Sequence, residues 1–268
     1  MKKFVVVNAD DLGMSNTRNQ AILDGYNNGF LTSTSVCANG DEFESAVKDI
    51  VPICPNLGIG IHLNIIEGRS LTNSPQLTDK NGFFNRSFFV MLIRSFRADF
   101  LQAVEDEFSA QIEYGQKFLT FDHLDSHVHT HAIPRIFKIA VKLASKYNIP
   151  SVRTQHEKLY FVPRLKQYLT IKYPINLIKL ALLNMLTMIN KRHLAQTKTN
   201  NAVIGVGYTG MMNSETIKYG LQTAQGEICE CIVHPEPNNN EYLAVVDRTL
   251  KEEIERLGFT ITAFGNIR

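Results

Sequence analysis

Cysteine is scarce and unpatterned in this chain. Cys37, Cys54, Cys229 and Cys231 form no CxxC pair, so core thiols are expected rather than disulfides or a zinc site. No apolar run reaches the roughly 20 residues of a membrane span. After Met1-Lys2-Lys3 only Phe4 to Val7 is apolar before Asn8, too short for the hydrophobic core of a signal peptide. A cytoplasmic address without a transmembrane segment is the expectation. The basic residues form no dense stripe and the net charge is only +2, so nucleic acid is not an expected partner. There is also no repeat, low-complexity tract or Pro/Ser-rich linker to divide the chain. Its 268 residues read as one domain over 1–268, matching the about 250 that a single α/β barrel needs.

What is present is an alternation of short β-branched runs with helical periodicity, the pattern of repeated βα units around a parallel sheet. Strands are expected near 3–8, 31–37, 57–64, 119–126, 149–154, 202–206, 229–234 and 259–264. Helices are expected near 15–28, 41–49, 98–117, 133–147, 213–223 and 241–256. Such a count favours a TIM-barrel-like (β/α) barrel over an open sheet. The connections 65–97 and 155–200 exceed what a barrel turn needs and are expected to form a rim and lid. Within the second, Ile175 to Ile189 is apolar except for Asn176, Lys179, Asn184 and Thr187. Those four fall within one arc at 100° per residue, giving an amphipathic helix whose broad apolar face packs on the body or on a second subunit of a homodimer; a membrane surface is the alternative.

Chemistry concentrates at the expected strand ends. Asn8-Ala9-Asp10-Asp11-Leu12-Gly13 puts adjacent carboxylates where the first strand finishes. Neighbouring strand residues face opposite ways, so both can serve one centre only where the chain turns, as Gly13 permits. Gly60-Ile61-His62, the Asp125-Ser126-His127-Val128-His129-Thr130-His131 stretch and Val233-His234-Pro235 occupy corresponding places on later units. In a parallel barrel the carboxyl ends share one face. Asp125, His127, His129 and His131 recur with period two, which would align them in an extended segment. Imidazoles and carboxylates are good ligands for zinc-like divalent ions.

These motifs, in this order and approximate spacing, resemble the YdjC-like carbohydrate deacetylases, including chitooligosaccharide deacetylases. The resemblance extends to the segment Phe259–Ile267, with 155–200 departing most from the oligosaccharide-cleaving members. It implies a TIM-barrel-like fold and removal of acetyl groups from N-acetylated sugars with one divalent metal ion, Zn or Mg. By that resemblance Asp11, His62 and His127 are the metal ligands, Asp10 is the catalytic base, and His234 is similar to the general acid of the broader polysaccharide deacetylase group. The chemistry agrees: an acetamide needs an activated water, a base for its proton and an acid for the departing amine. Asp125 is placed to orient a ligand imidazole or to bond backbone. His129 and His131 are open between lining the sugar pocket, replacing His127 and solvating the loop. Arg153 is open between holding Asp10, touching substrate and forming a surface ion pair. Gly205-Val206-Gly207-Tyr208-Thr209-Gly210 lacks the register of a dinucleotide fingerprint and reads as a flexible substrate-side loop.

The run His127 to His131 resembles the histidine motif of the polymerase-and-histidinol-phosphatase group, a rival metal-dependent phosphoesterase reading, but that motif normally lies at the first strand. A non-catalytic sugar-binding protein is the other rival, and it is opposed by the presence of every expected catalytic residue.

Overall fold

A ten-residue strand, β1 (Lys3–Leu12), runs through the centre of the sheet in this computed structural model, which describes residues 2–194 and 197–267. Val5, Val6 and Val7 are at most 1% exposed; a continuous β-branched run buried on both faces is what a parallel sheet demands. Parallel partners lie on both sides of β1: β2 (Ser33–Val36) and β7 (Phe259–Ile261) on one, β6 (Ile228–Val233) on the other. Beyond β2 come β3 (Gly58–Leu63) and β4 (His123–Ser126), and beyond β6 comes β5 (Ala202–Ile204), giving the order β4-β3-β2-β1-β6-β5 with β7 alongside β1.

The expected eighth strand, 149–154, is reduced to bridges. Leu124 pairs with Val152 and Ser151 with Lys198, each once, so the curled sheet is nearly, but not fully, closed between β4 and the chain leading into β5. Two local causes are visible. Pro150 has no N–H to give a ladder, and the backbone of Thr154 is satisfied by a side chain instead: its N–H donates to Asn200 Oδ1 at 2.7 Å and its carbonyl accepts from Asn200 Nδ2 at 2.9 Å. The barrel expectation therefore stands in curled, incompletely closed form.

The connecting helices are α1 (Asn16–Asn28), α2 (Phe43–Ser45), α3 (Phe88–Arg94), α4 (Ala98–Gln116), α5 (Pro134–Lys146), α6 (Lys172–Asn190), α7 (Ser214–Thr223), α8 (Asn240–Val245) and α9 (Arg248–Arg256). In α5 the buried positions Ile136, Phe137, Ala140, Leu143 and Ala144 follow helical spacing and close over the sheet. The helix expected over 241–256 is split because the Asp247 side chain accepts from the N–H groups of Thr249 and Leu250, capping α9. The helix expected over 41–49 is a short turn that relaxes into a wider one over Ala46–Ile50.

The orientation of α6 differs from the expectation. Asn176, Lys179, Asn184 and Asn190 face the body, where they bond Thr209, Glu157 and Ala132. Leu180, Leu183 and Leu186 are buried beside them, while Ile175, Ile178, Met185 and Met188 are left exposed. The amides of Asn176, Asn184 and Asn190 point inward to satisfy the backbone carbonyls of Thr209, Glu157 and Ala132. Among the described residues, no helix is long and apolar enough to cross a membrane.

Strand packing leaves no room at Gly60: a Cβ there would sit 2.2 Å from the imidazole of His123 on β4, a buried ring fixed by Asp122 and Ser35. Gly60→Ala is expected to lower stability by about 1–3 kcal/mol through overpacking, read as a lower urea midpoint; an unchanged midpoint would show that the ring is free to move.

Candidate functional site

The end of β1 solves the problem posed by two adjacent aspartates with a bulge. Pairing to β2 slips between Ala9 and Leu12, and Asp11 adopts φ 74°, followed by Gly13 at φ 87°. A bulge re-aims one side chain without ending the strand, so Asp10 and Asp11 both reach the interior of the barrel mouth at 3% and 2% exposure.

Asp11 is the meeting point of two imidazoles. Its Oδ1 lies 2.8 Å from His127 Nδ1 and 3.3 Å from His62 Nε2, while Oδ2 accepts from Arg18 Nη1 at 3.0 Å. His62 is oriented from behind, its Nδ1 donating to Asp125 Oδ1 at 2.7 Å. Carboxylate, imidazole and ligand atom in line is the arrangement by which proteins fix a metal-binding histidine. Burial alone would raise the Asp11 pKa, but hydrogen bonds and charge from His127 and His62 hold it well below the carboxylate range. For His62, burial opposes protonation, yet Asp125, Asp10 and Asp11 together raise the imidazole to about 10. A proton and a cation thus compete for the same nitrogen.

Behind Asp10 lies Arg153, which is 1% exposed. Its Nη1 and Nη2 reach the two oxygens of Asp10 at 2.8 and 2.7 Å. It also contacts Asp125 Oδ2 at 2.5 Å and Glu230 Oε1 at 2.6 Å. The surface ion pair considered for Arg153 is thereby excluded. One guanidinium faces three carboxylates, leaving the centre rich in negative charge. Burial works against the charge of Asp125, but Arg153 and His62 outweigh it and hold its pKa down. Glu230, by contrast, is pushed upward, chiefly by burial. Asn8 Nδ2 donates to both Asp10 Oδ1 and Ser35 Oγ at 2.8 Å, completing the support of the Asp10 carboxylate.

His234, half-buried after β6, faces Asp10 across the cleft with Nε2 4.0 Å from Oδ2. Its other nitrogen lies 3.5 Å from Glu241 Oε2, which also accepts its backbone N–H at 2.6 Å. Burial alone would lower the His234 pKa; Glu241, followed by Asp10 and Asp11, raises it to about 9.

The expected period-two alignment does not form, because the strand ends at Ser126 and the chain coils over His127–Ala132, with Val128 and His129 at φ 52° and 56°. Only Asp125 and His127 meet the centre. His129 lines the cleft wall with a buried, unpartnered Nδ1. His131 is turned away and fully buried, between Ser126 Oγ at 2.5 Å and the Arg153 carbonyl at 3.0 Å. Burial lowers its pKa to about 4, so it is a neutral brace for the Arg153 backbone.

The cleft encloses about 400 Å³ and is walled in part by Asp10, His62, Lys179, Thr209 and Glu236. The 205–210 loop does reach it, but it is pinned rather than flexible: the buried carboxylate of Glu157 accepts from Val206 and Gly207 N–H at 2.7 and 3.1 Å. Arg18, Glu157, Glu230 and Glu241 were not singled out in the sequence. Of these only Glu230 carried a signal, as a charged residue between two buried cysteines on one strand.

The donor types suit a divalent ion: His62 Nε2 and His127 Nδ1 both lie against Asp11 Oδ1. Among the described residues, the groups whose ligand-type atoms all lie within 4.8 Å of one another are Asp11, His62 and Cys37; Asp10, His62 and Asp125; and His123, Asp125 and Glu230, so His127 stands outside that spacing. Burial and nearby aspartates raise the Cys37 thiol well above its ordinary pKa, which disfavours the thiolate a metal would need.

With fold and geometry in place, the comparisons are consistent. The sequence model of the family described as YdjC-like protein matches residues 4–258, and the chain belongs to that family. A carbohydrate deacetylase of Geobacillus stearothermophilus is 32% identical over 207 residues, 77% of this chain and 82% of the relative. One of Thermoanaerobacter pseudethanolicus is 30% identical over 163 residues, 58% of this chain and 62% of the relative. A crystal structure of an Enterococcus faecalis protein named for cellobiose-phosphate cleavage shares the fold, with a TM-score of 0.77, 22% identity and 98% of each chain covered.

Removing Arg153 would strand three buried carboxylates. Arg153→Met is expected to cost about 3–5 kcal/mol, measured by urea denaturation; a loss below 1 kcal/mol would mean that the carboxylates find other partners.

Proposed function

We propose that the protein is a carbohydrate deacetylase that hydrolyses the acetamide of an N-acetylated sugar. The observation that carries this reading is the placement of Asp10 between a ligand-like cluster and a raised-pKa histidine. Asp11, His62 and His127 would hold a divalent cation, and two nitrogens with one oxygen favour zinc over magnesium. Such an ion supplies Lewis-acid polarisation of the acetyl carbonyl and lowers the pKa of a water.

The chain's own groups supply the rest. Asp10 Oδ2 faces both His62 and His234 at 4.0 Å, where it can take a proton from an attacking water. Arg153 holds its carboxylate in a two-pronged grip, which fixes the geometry a general base requires. His234, charged up to about pH 9, stands across the cleft to protonate the departing sugar amine. Glu241 keeps that proton on His234 and aims its ring. Arg18 occupies the second oxygen of Asp11, directing the first toward the imidazoles. Four buried thiols with no disulfide among them support a reducing, cytoplasmic setting.

Asp10→Asn is expected to lower acetate release from an N-acetylglucosamine oligomer by about 10²–10⁴-fold while metal content stays near that of the parent; undiminished release would remove Asp10 from the chemistry. His62→Ala should instead deplete metal, read by elemental analysis. The acid function of His234 is present below its raised pKa and is lost as pH climbs through about 9. In Glu241→Gln the basic limb of kcat/KM should therefore move down toward the ordinary imidazole value of 6.5. A basic limb that stays in place would separate Glu241 from the acid.

A further inference from the structure

The outward face of α6 is apolar because its polar arc is used against the body. Ile175, Ile178, Met185 and Met188 are between 52% and 70% exposed, and on α3 Phe89 and Ile93 are 63% and 72% exposed. Isolated exposed apolar residues are ordinary, but a set this dense on two helices that face one cleft marks a binding surface. The cleft between α3 and α6 has a volume of about 330 Å³ and is walled by Phe88, Phe89, Ile175, Ile178, Leu182 and Leu183. It adjoins the catalytic cleft: Val128, His129 and Lys179 line both. An apolar recess therefore borders the polar centre.

Charge distinguishes the occupants. Between Glu157 and Glu215 the sequence has no carboxylate, yet it carries Lys158, Lys166, Lys172, Lys191 and Arg192 besides Arg164, which pairs with Glu215; between Asp79 and Asp99 it has Lys80, Arg86 and Arg94 besides Arg97, which pairs with Asp99. A chain with a net charge of only +2 thus gathers cations in the two segments that bear the exposed apolar side chains. Two copies meeting through this face would bring like charges together. An anionic lipid surface matches both the apolar residues and their basic surround.

We propose that this face docks on an anionic lipid surface and that the α3–α6 cleft receives the hydrocarbon chain of an acetylated amphiphile whose sugar head lies in the catalytic cleft. The substrate half rests on the deacetylase reading; the docking half does not.

The full chain is pelleted with vesicles of phosphatidylcholine alone and of phosphatidylcholine mixed with phosphatidylglycerol, at low and high salt. Binding to the mixed vesicles should exceed binding to the neutral ones at least tenfold and weaken with salt. It should fall at least tenfold in Ile93→Ser/Met188→Ser and in Lys166→Gln/Lys172→Gln, two pairs outside both clefts, with unchanged thermal melting and unchanged acetate release from a soluble N-acetylglucosamine oligomer. Equal pelleting with both vesicles, or a stable dimer that the Ile93/Met188 pair dissociates and that ignores vesicles, would overturn docking. For the cleft, alkyl glycosides of N-acetylglucosamine are assayed below their micelle-forming concentrations. The kcat/KM should rise roughly three- to fourfold per added methylene until the cleft is full; no dependence on chain length would overturn the amphiphile assignment. Absence of acetate from every sugar would instead refute the deacetylase reading, while the vesicle result still decides docking.

Discussion

The site is organised around a guanidinium that never meets solvent. Arg153 gathers Asp10 from β1, Asp125 from β4 and Glu230 from β6 at 2.5–2.7 Å, tying strands that are far apart in the chain. Burying that many charges is costly unless each is paired and hydrogen-bonded. The arrangement meets this condition incompletely, since carboxylates outnumber the cation. The surplus of negative charge also raises the His62 imidazole to about 10. A fold that merely needed stability would be better served by apolar residues here. The retention of a charged centre is a property of the site.

From this centre each further feature follows by contact. Asp125 is shared between Arg153 and His62, so the guanidinium that grips Asp10 and the His62 imidazole are positioned by one carboxylate. His131 braces the carbonyl of Arg153, and the 151–153 segment stays in place through single bridges to Leu124 and Lys198 despite having no ladder of its own. On the proposed reading the base, Asp10, lies against a guanidinium, whereas the acid, His234, lies against Glu241, which raises its imidazole to about 9.

Sequence periodicity made most of the sheet legible, because buried parallel strands read as unbroken apolar runs and their ends converge by topology. The motif residues Asp10, Asp11, His62, His127 and His234 were likewise visible as polar groups at those ends. Less was legible where side chains replaced backbone partners. Asn200 substituting for a strand beside Thr154, and Asn176, Asn184 and Asn190 bonding backbone from α6, are long-range choices that no local pattern encodes. The bulge at Asp11 and the left-handed residues Val128 and His129 broke a period-two reading that assumed extended chain. Glu241 and Arg18 act only through partners distant in sequence, so nothing nearby identified their roles.

If Asp11, His62 and His127 together hold one cation on which hydrolysis depends, stripping the protein with a chelator and titrating zinc back, with acetate and proton release followed together, reads that dependence. The stripped protein should show no turnover, and recovery should saturate at one equivalent per chain, with protons expelled as the ion enters. Full turnover in the stripped protein would contradict that dependence.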